Sequence, residues 1–442
     1  MGLPRNPSVS PTSPFSLPPI AFFLAALLPL SLVSFSHARS IPRLPIYSPP
    51  AQTPPGFHAI QDFVTSAAAT TVTEDGRPVG RRSKAARFDE PTEADAEFES
   101  TKPPAINDKP LIGILSQPGD GDGGRAPRVN SNRAVDTPYD ESESYGGAEV
   151  GRHRAVDTNV SYIAASYAKW VESAGARPVP LLYDEPEEIL REKFDSINGL
   201  LLPGGGTDLV PGRFMSTVQL LLKWAKDAND RGDFFPVQAT CMGFEAMAIA
   251  VSEDFNVLEL KRFSALDLAS PLNFVGNWVH HRSYFSWMSP DLAQKVQKLP
   301  LTMENHQDGT TVHRFLSTSL RDFFFVLTTS FDKKGLEYVT TVQGKRYPFY
   351  GTQWHPEKNA YEWGLDHIPH AADAVAVGQA AANFFVNEAR RNTHRPASEE
   401  RMNEILLYNH TPVFAGKNGH GFFEQSYVFK RAAGPSDNVA VA

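Results

Sequence analysis

The only cysteine of this 442-residue chain, Cys241, stands in a setting typical of a reactive nucleophile. The apolar run Phe235–Ala239 predicts a buried strand, and Phe244–Val251, a run of good helix formers, predicts a helix. A strand, a sharp turn and a helix around one side chain form a nucleophile elbow. The elbow places the thiol at a helix N-terminus, where a thiolate is favoured. The alternative is a lone buried core cysteine, the commoner fate of a free thiol.

A base for this thiol lies downstream. The segment Tyr347–Lys358 predicts a second strand that ends in His-Pro-Glu. His355 can act as the base and Glu357 can orient it, because side chains two residues apart on an extended segment point to the same side. Taken alone, His355 fits equally well as an ordinary histidine, since the chain has 13 of them.

A glycine turn supplies backbone donors. The apolar segment Ile197–Leu202 predicts a strand that runs into Gly204-Gly205-Gly206. Glycines let backbone N–H groups approach a reacting carbonyl, as an oxyanion hole requires. A glycine triplet alone would serve equally well as a flexible turn or a phosphate loop. The succession of strand-Gly-Gly-Gly, strand-Cys-x-Gly-helix and strand-His-x-Glu is much more specific.

These segments resemble the class I glutamine amidotransferase fold, and more closely gamma-glutamyl hydrolase in its plant-like form. The resemblance covers roughly residues 108–430. The stretches Tyr162–Tyr167 and Tyr361–Trp363 favour the hydrolase over amidotransferase subunits. The other segments that carry it are Pro110–Leu115, Glu172–Arg177, Leu202–Gly205, Pro271–Phe274, Gly351–Lys358 and Phe384–Arg390.

The resemblance implies an α/β fold with a central, mostly parallel sheet flanked by helices, in a flavodoxin-like three-layer architecture. The alternation of predicted strands and helices along the chain points the same way. The resemblance makes Cys241 the nucleophile and His355 the acid/base, with Glu357 in the third position of the triad. It places His306 near the substrate. The chain departs from relatives in a Gly/Asp/Arg-rich insertion at about 119–158.

The expected reaction is hydrolysis of gamma-glutamyl bonds in poly-gamma-glutamyl folates through a thioester on Cys241. Backbone N–H groups of Gly205 and Met242 would hold the oxyanion. No cofactor or metal is needed for this chemistry. A cation is expected to hold the alpha-carboxylates, and Arg282 and Lys358 are candidates. The expected substrate-binding residues are His306, Gly204, Gly206 and Arg282.

The residues are compatible with two other functions. The first is a glutaminase that releases ammonia for a synthase, against which the secretory signal argues. The second is a catalytically silent protein that binds gamma-glutamyl compounds, against which the complete set of Cys241, His355 and Glu357 argues.

The N-terminus predicts a secretory signal in residues 1–38. The apolar stretch Ile20–Phe35 is followed by small residues near Ala38, and Pro29 interrupts it. A signal anchor is the alternative, but this stretch is short for a membrane span. The expected destination is the secretory pathway, ending in a vacuole or in the extracellular space or cell wall.

The rest of the chain is predicted as one large domain with irregular ends. Residues 39–107 lack periodicity and predict a disordered linker or pro-segment. The catalytic domain is expected at 108–432 and a frayed tail at 433–442. The net charge of −8 and the pI near 5.9 argue against a nucleic-acid partner. We expect a small-molecule substrate and no membrane association of the mature form, and leave a homodimer open.

Overall fold

The computed structural model describes the part of the chain that carries the predicted catalytic residues. All of the described residues fall in the compact unit Ala86–Ala442. Among them, no helix has the length and apolar character needed to cross a bilayer. The predicted signal, linker and tail, and nearly all of the insertion, lie outside the described residues and stay predictions. The structure describes residues 106–119, 160–276, 283–418 and 423–430.

Strands and helices alternate through most of the described chain. The strands are β1 (Leu111–Leu115), β2 (Gln117–Pro118), β3 (Val160–Ala164), β4 (Arg177–Leu181), β5 (Gly199–Leu202), β6 (Val237–Thr240), β7 (Ala265–Ser270), β8 (Asn273–Phe274), β9 (Thr302–His306), β10 (Phe324–Phe331), β11 (Glu337–Gly344), β12 (Phe349–Thr352) and β13 (Ser426–Lys430). The helices are α1 (Ala165–Ser173), α2 (Glu187–Phe194), α3 (Arg213–Asp230), α4 (Met242–Ser252), α5 (Pro290–Val296), α6 (Val312–Leu316), α7 (Leu320–Phe323), α8 (Lys358–Tyr361), α9 (Ala372–Ala389) and α10 (Glu399–Ile405).

One large sheet organises the described residues. Its order is β4-β1-β5-β6-β12-β11-β10-β8, and its eight strands include a parallel run from β4 to β12. The last three strands pair antiparallel. Small antiparallel sheets, β13-β3-β2 and β7-β9, flank it. The predicted α/β class with a central, mostly parallel sheet is confirmed.

Both faces of this sheet are buried under helices. On β5, Leu200 and Leu202 pack into one apolar cluster with residues of α3 and α4, whereas Leu201 packs into another with residues of α1 and α9. Successive side chains of a strand point to opposite faces, so a strand covered on both sides must be apolar throughout. The continuous run Gly-Leu-Leu-Leu of β5 meets that requirement.

The spacing of Ile163, Tyr167, Trp170 and Val171 predicts an amphipathic helix over Ser161–Ala174, and this prediction is wrong in the first turn. Residues Val160–Ala164 form β3, and helix α1 begins only at Ala165. Strand β3 pairs with β13, so that Tyr162 lies opposite Val428. A partner this distant in sequence overrides local helical periodicity, and the local sequence gives no sign of it.

A half-buried histidine ties the C-terminal segment to the sheet. His394 Nε2 lies 2.6 Å from Asp233 Oδ2, and Nδ1 lies 3.0 Å from the carbonyl oxygen of Ile197. Since both ring nitrogens face oxygen acceptors, the imidazolium form satisfies both contacts. Burial lowers the pKa of His394, but the hydrogen bond to Asp233 and its charge outweigh burial and raise the pKa above its usual range.

We predict that this contact stabilises the fold most at acidic pH. Because the folded pKa of His394 lies above the unfolded value of about 6.5, its contribution is complete below that pH and is lost as pH rises through the folded pKa. His394→Gln should lower Tm by roughly 3 °C at pH 5.5 and by less at pH 8.5. Thermal melts of His367→Gln, whose ion pair with Asp267 is exposed, provide the control. An equal loss at both pH values would contradict the assignment.

Candidate active site

Cys241 occupies a strained turn between β6 and α4. Its backbone has φ 50° and ψ −115°, a conformation that L-residues rarely adopt, and its N–H donates to the carbonyl of Thr352 at 2.7 Å. The helix that follows crosses β5 closely, since a Cβ on Gly243 would lie 2.1 Å from the Leu202 carbonyl oxygen. The glycine of the Cys-x-Gly motif is therefore required by packing, and the predicted nucleophile elbow is present.

The base lies at the end of the neighbouring strand β12. His355 Nδ1 donates to Glu357 Oε1 at 2.7 Å, and both side chains are almost completely buried. This hydrogen bond fixes the tautomer, because it places the proton on Nδ1 and leaves the lone pair on Nε2. Nε2 is hydrogen-bonded to no atom of the described chain. The histidine is thus arranged to accept a proton at Nε2.

The glycine turn brings the nucleophile and the base together. A Cβ on Gly204 would lie 2.8 Å from His355 Cε1, 3.1 Å from Cys241 Cβ and 2.6 Å from the Tyr167 hydroxyl oxygen. Only a residue without a side chain leaves space for these three groups. The carboxyl ends of the adjacent parallel strands β5, β6 and β12 therefore carry the glycine turn, the thiol and the imidazole to one place.

Burial sets the charges of the resting site. The pKa of the Cys241 thiol lies well above its usual range because of burial and the nearby Glu245 charge, although the Met242 N–H lowers it. Burial lowers the pKa of His355. Burial raises the pKa of Glu357, but the charge of His355 and the hydrogen bond to it bring the pKa below its usual range. Burial therefore opposes charge on both the thiol and the imidazole, whereas the helix N-terminus alone predicts a thiolate.

A cleft of about 290 Å³ opens onto the thiol. Of the residues predicted for the site, it exposes Cys241, His355, Met242, Gly205, Gly206, His306 and Lys358. Glu357 lies behind His355, and the backbone N–H and C=O of Gly204 are both hydrogen-bonded within the protein. Arg282 lies outside the described residues. Within the described ranges, no cluster of three or more His, Cys, Asp or Glu side chains could hold a metal.

The charged residues of the cleft that sequence reasoning missed include Glu245 and Lys261. Glu245 follows Cys241 by one helical turn, and this i, i+4 spacing could have revealed it. Burial raises the pKa of Glu245 to about 7, while His306 and the hydrogen bond from Gln353 oppose the shift. Lys261 lies in an irregular segment, and no sequence pattern marks it as a residue of the cleft.

His306 is held in the cleft by its neighbours. Its Nδ1 donates to the carbonyl of Asp308 at 2.8 Å, and Nε2 lies 3.4 Å from Glu304 Oε2. Burial lowers the pKa of His306, but the close contact with Glu304 and the charges of Glu304 and Glu245 outweigh it and raise the pKa overall. The charged form of His306 is thus favoured by two carboxylates beside it in the cleft.

The α/β fold places Cys241, His355 and Glu357 together in the arrangement predicted for a cysteine hydrolase with an elbow nucleophile. Comparison with known proteins gives the family. The sequence profile of the family described as Peptidase C26 matches residues 147–357. Gamma-glutamyl hydrolase 1 of Arabidopsis thaliana is 39% identical over 331 residues, which cover 75% of this chain and 85% of that protein. Human gamma-glutamyl hydrolase is 40% identical over 270 residues, 61% of this chain and 83% of that protein.

Solved glutaminase structures overlap with the chain at lower similarity. The glutaminase domain of Trypanosoma brucei CTPS with bound acivicin has 12% identity and a TM-score of 0.37, and the overlap covers 65% of this chain and 96% of that one. The two gamma-glutamyl hydrolases are far more similar to this chain in sequence, and the alignments cover most of the length of each of them. The chain belongs to the gamma-glutamyl hydrolase family.

The pH dependence of thiol alkylation tests the charge state of the site. We predict that iodoacetamide modifies Cys241 of the folded protein with an apparent pKa above that of the unfolded chain, because burial raises the thiol pKa. The same cysteine in urea, where a pKa of about 8.5 is ordinary, is the matched control. Glu245→Gln should move the folded midpoint downward by removing a nearby negative charge. A reaction already at its plateau below pH 7 would show a stable thiolate–imidazolium pair instead.

Proposed function

We propose that this protein hydrolyses the gamma-glutamyl peptide bonds of poly-gamma-glutamyl folates. The observation that carries the proposal is the buried Cys241, His355 and Glu357 set at the bottom of an open cleft, in a chain of the gamma-glutamyl hydrolase family. The geometry supplies a nucleophile, a base with a fixed tautomer and an ionised carboxylate that orients the base.

The steps follow from the positions of the protons. Cys241 Sγ attacks the gamma-carbonyl carbon while its proton passes to His355 Nε2, and the carbonyl oxygen becomes an oxyanion. The tetrahedral adduct collapses as the C–N bond breaks, and His355 gives the proton to the leaving amine. Water then attacks the thioester, His355 takes one of its protons, the C–S bond breaks, and the proton returns to sulfur. Because burial opposes both a thiolate and an imidazolium at rest, transfer accompanies attack.

Backbone N–H groups can stabilise the oxyanion. Met242 is the first residue of α4, so its N–H has no intrahelical acceptor and lies at the positive end of the helix dipole. Gly205 lines the same cleft from the turn that follows the neighbouring strand β5. Two N–H groups from different strands can therefore converge on one oxygen, and such donors contribute about 10²–10³-fold each to turnover.

Positive groups in the cleft favour an anionic substrate. A poly-gamma-glutamyl chain carries one alpha-carboxylate per residue, whereas this protein has a net charge of −8. Lys261, Lys358 and His306 line the cleft. The Lys358 ammonium lies 4.9 Å from the centre of the Phe423 ring, which holds it in a defined position. These local cations attract a substrate that the chain as a whole repels.

Product analysis decides between hydrolysis of gamma-glutamyl peptides and release of ammonia. Pentaglutamyl folate incubated with the protein should give shorter folates and free glutamate or gamma-glutamyl peptides, followed over time by mass spectrometry. Glutamine offered under the same conditions should give ammonia at a much lower rate. Ammonia from glutamine without cleavage of the folate would contradict the proposal and favour a glutaminase.

Substitution of the triad should separate its three roles. We predict that Cys241→Ala loses on the order of 10⁴-fold or more in kcat, and that His355→Asn is comparably inactive. Glu357→Gln should be impaired but measurable, because it orients the base without transferring a proton itself. Steady-state kinetics on a gamma-diglutamyl substrate give the values. Activity of Cys241→Ala within tenfold of the unsubstituted enzyme would remove the nucleophile assignment, and a Glu357→Gln loss larger than that of His355→Asn would reverse the roles.

A further inference from the structure

Two buried side chains hold the backbone of Gly204 from opposite sides. The Gln117 amide nitrogen donates to the Gly204 carbonyl oxygen at 2.6 Å. The Gly204 N–H donates to the Tyr167 hydroxyl oxygen at 2.7 Å. Gln117 and Tyr167 are both fully buried, and Gln117 was not singled out by its sequence pattern. Both polar groups of this glycine are therefore fixed by side chains from outside the glycine turn.

The orientation of the Gln117 amide follows from its partners. The Gly204 carbonyl can only accept, so it must face the amide NH₂ group. The other end of the amide, Oε1, accepts from the Tyr162 hydroxyl at 3.2 Å, and the Thr207 hydroxyl lies 3.5 Å away. An amide with its two ends reversed would face oxygen against the Gly204 carbonyl. The donation to Gly204 is thus the only arrangement that these neighbours allow.

The contact with Gly204 fixes the next N–H as well. The described chain contains no cis peptide bond. The Gly204 C=O and the Gly205 N–H therefore lie in one peptide plane and point in opposite directions. With the carbonyl directed at Gln117, the Gly205 N–H points away from Gln117. Gly205 itself lines the cleft that contains Cys241. No acceptor within the described chain is hydrogen-bonded to this N–H.

A peptide between two glycines needs such a restraint. Glycine adopts positive and negative φ about equally well, so a Gly-Gly peptide can rotate by half a turn at little conformational cost. Rotation would present a carbonyl oxygen to the oxyanion and repel it. Gln117 also packs directly on the turn, since a Cβ on Gly205 would lie 1.7 Å from its Oε1. Gly204 and Gly205 leave space for the Gln117 amide. Because the peptide between them rotates easily, the same two glycines also make the restraint by this amide necessary.

We propose that Gln117 is a positioning residue that holds the Gly204–Gly205 peptide with the Gly205 N–H directed at the reacting carbonyl. The inference rests on the proposed function, because the oxyanion arises only in acyl transfer. Gln117 touches neither the substrate nor the reacting atoms, and acts through the orientation of one peptide. Tyr167 holds the N–H of Gly204 and keeps the turn from shifting as a whole.

The test is Gln117→Met, which keeps the length of the side chain and removes the donor. The kcat on a gamma-diglutamyl substrate should fall about 10- to 100-fold, somewhat less than the loss of an oxyanion donor itself. KM should change less than threefold. The rate of Cys241 alkylation by iodoacetamide at pH 8 should stay within twofold, because that displacement forms no oxyanion. The control is Gln297→Met, whose amide donates to the Ala293 carbonyl at 2.8 Å away from the cleft.

Gln117→Glu supplies a second readout if the methionine variant folds poorly. A protonated carboxyl can donate to the Gly204 carbonyl, whereas a carboxylate repels it. Relative to the unsubstituted enzyme, the variant should therefore lose kcat progressively as pH rises. Unchanged kcat in Gln117→Met, parallel loss of turnover and alkylation, or a flat pH ratio for Gln117→Glu would overturn the inference. A failure of the unsubstituted enzyme to cleave the substrate would instead refute the proposed function.

Discussion

The hydrogen bond from His355 Nδ1 to Glu357 Oε1 lies in the buried centre of the site, and in the proposed mechanism the direction of each proton transfer depends on it. It holds the imidazole proton on Nδ1, away from the thiol, and leaves Nε2 free to take the proton of Cys241. It also makes an ionised carboxylate tolerable at a position with no exposure to solvent, since His355 and Lys358 offset the cost of burial. Loss of this contact would let the ring turn and would leave the carboxylate uncompensated.

The parallel sheet is what brings the partners of this hydrogen bond to the nucleophile. The motifs follow β5, β6 and β12, which are neighbours in the sheet although more than 100 residues separate β6 from β12 in the chain. Their carboxyl ends meet at one edge, where open α/β sheets commonly bind ligands. This geometry could be predicted from the sequence, because apolar runs ending in Gly-Gly-Gly, Cys-x-Gly and His-x-Glu each mark a strand and the residue at its end.

Other features depend on contacts that the local sequence does not contain. Strand β3 exists because β13 pairs with it, and β13 follows it by more than 250 residues. Burial and Glu245 raise the pKa of the Cys241 thiol, and these outweigh the helix N-terminus that the sequence predicts. The contact of Gln117 with Gly204 could not be predicted from the sequence for the same reason, because Gln117 stands just after β1 and reaches the glycine turn only in the folded chain. Local patterns therefore located the reacting groups but missed what sets their charge and orientation.

The most direct test of this account is capture of the acyl-enzyme. The protein is mixed with a gamma-diglutamyl substrate, quenched in acid within milliseconds and digested, and the peptide that contains Cys241 is analysed by mass spectrometry. The account predicts that this peptide gains the mass of the acyl group, that hydroxylamine removes the added mass, and that Cys241→Ala shows none. Rapid turnover with no adduct at any quench time, together with retained activity of Cys241→Ala, would contradict it.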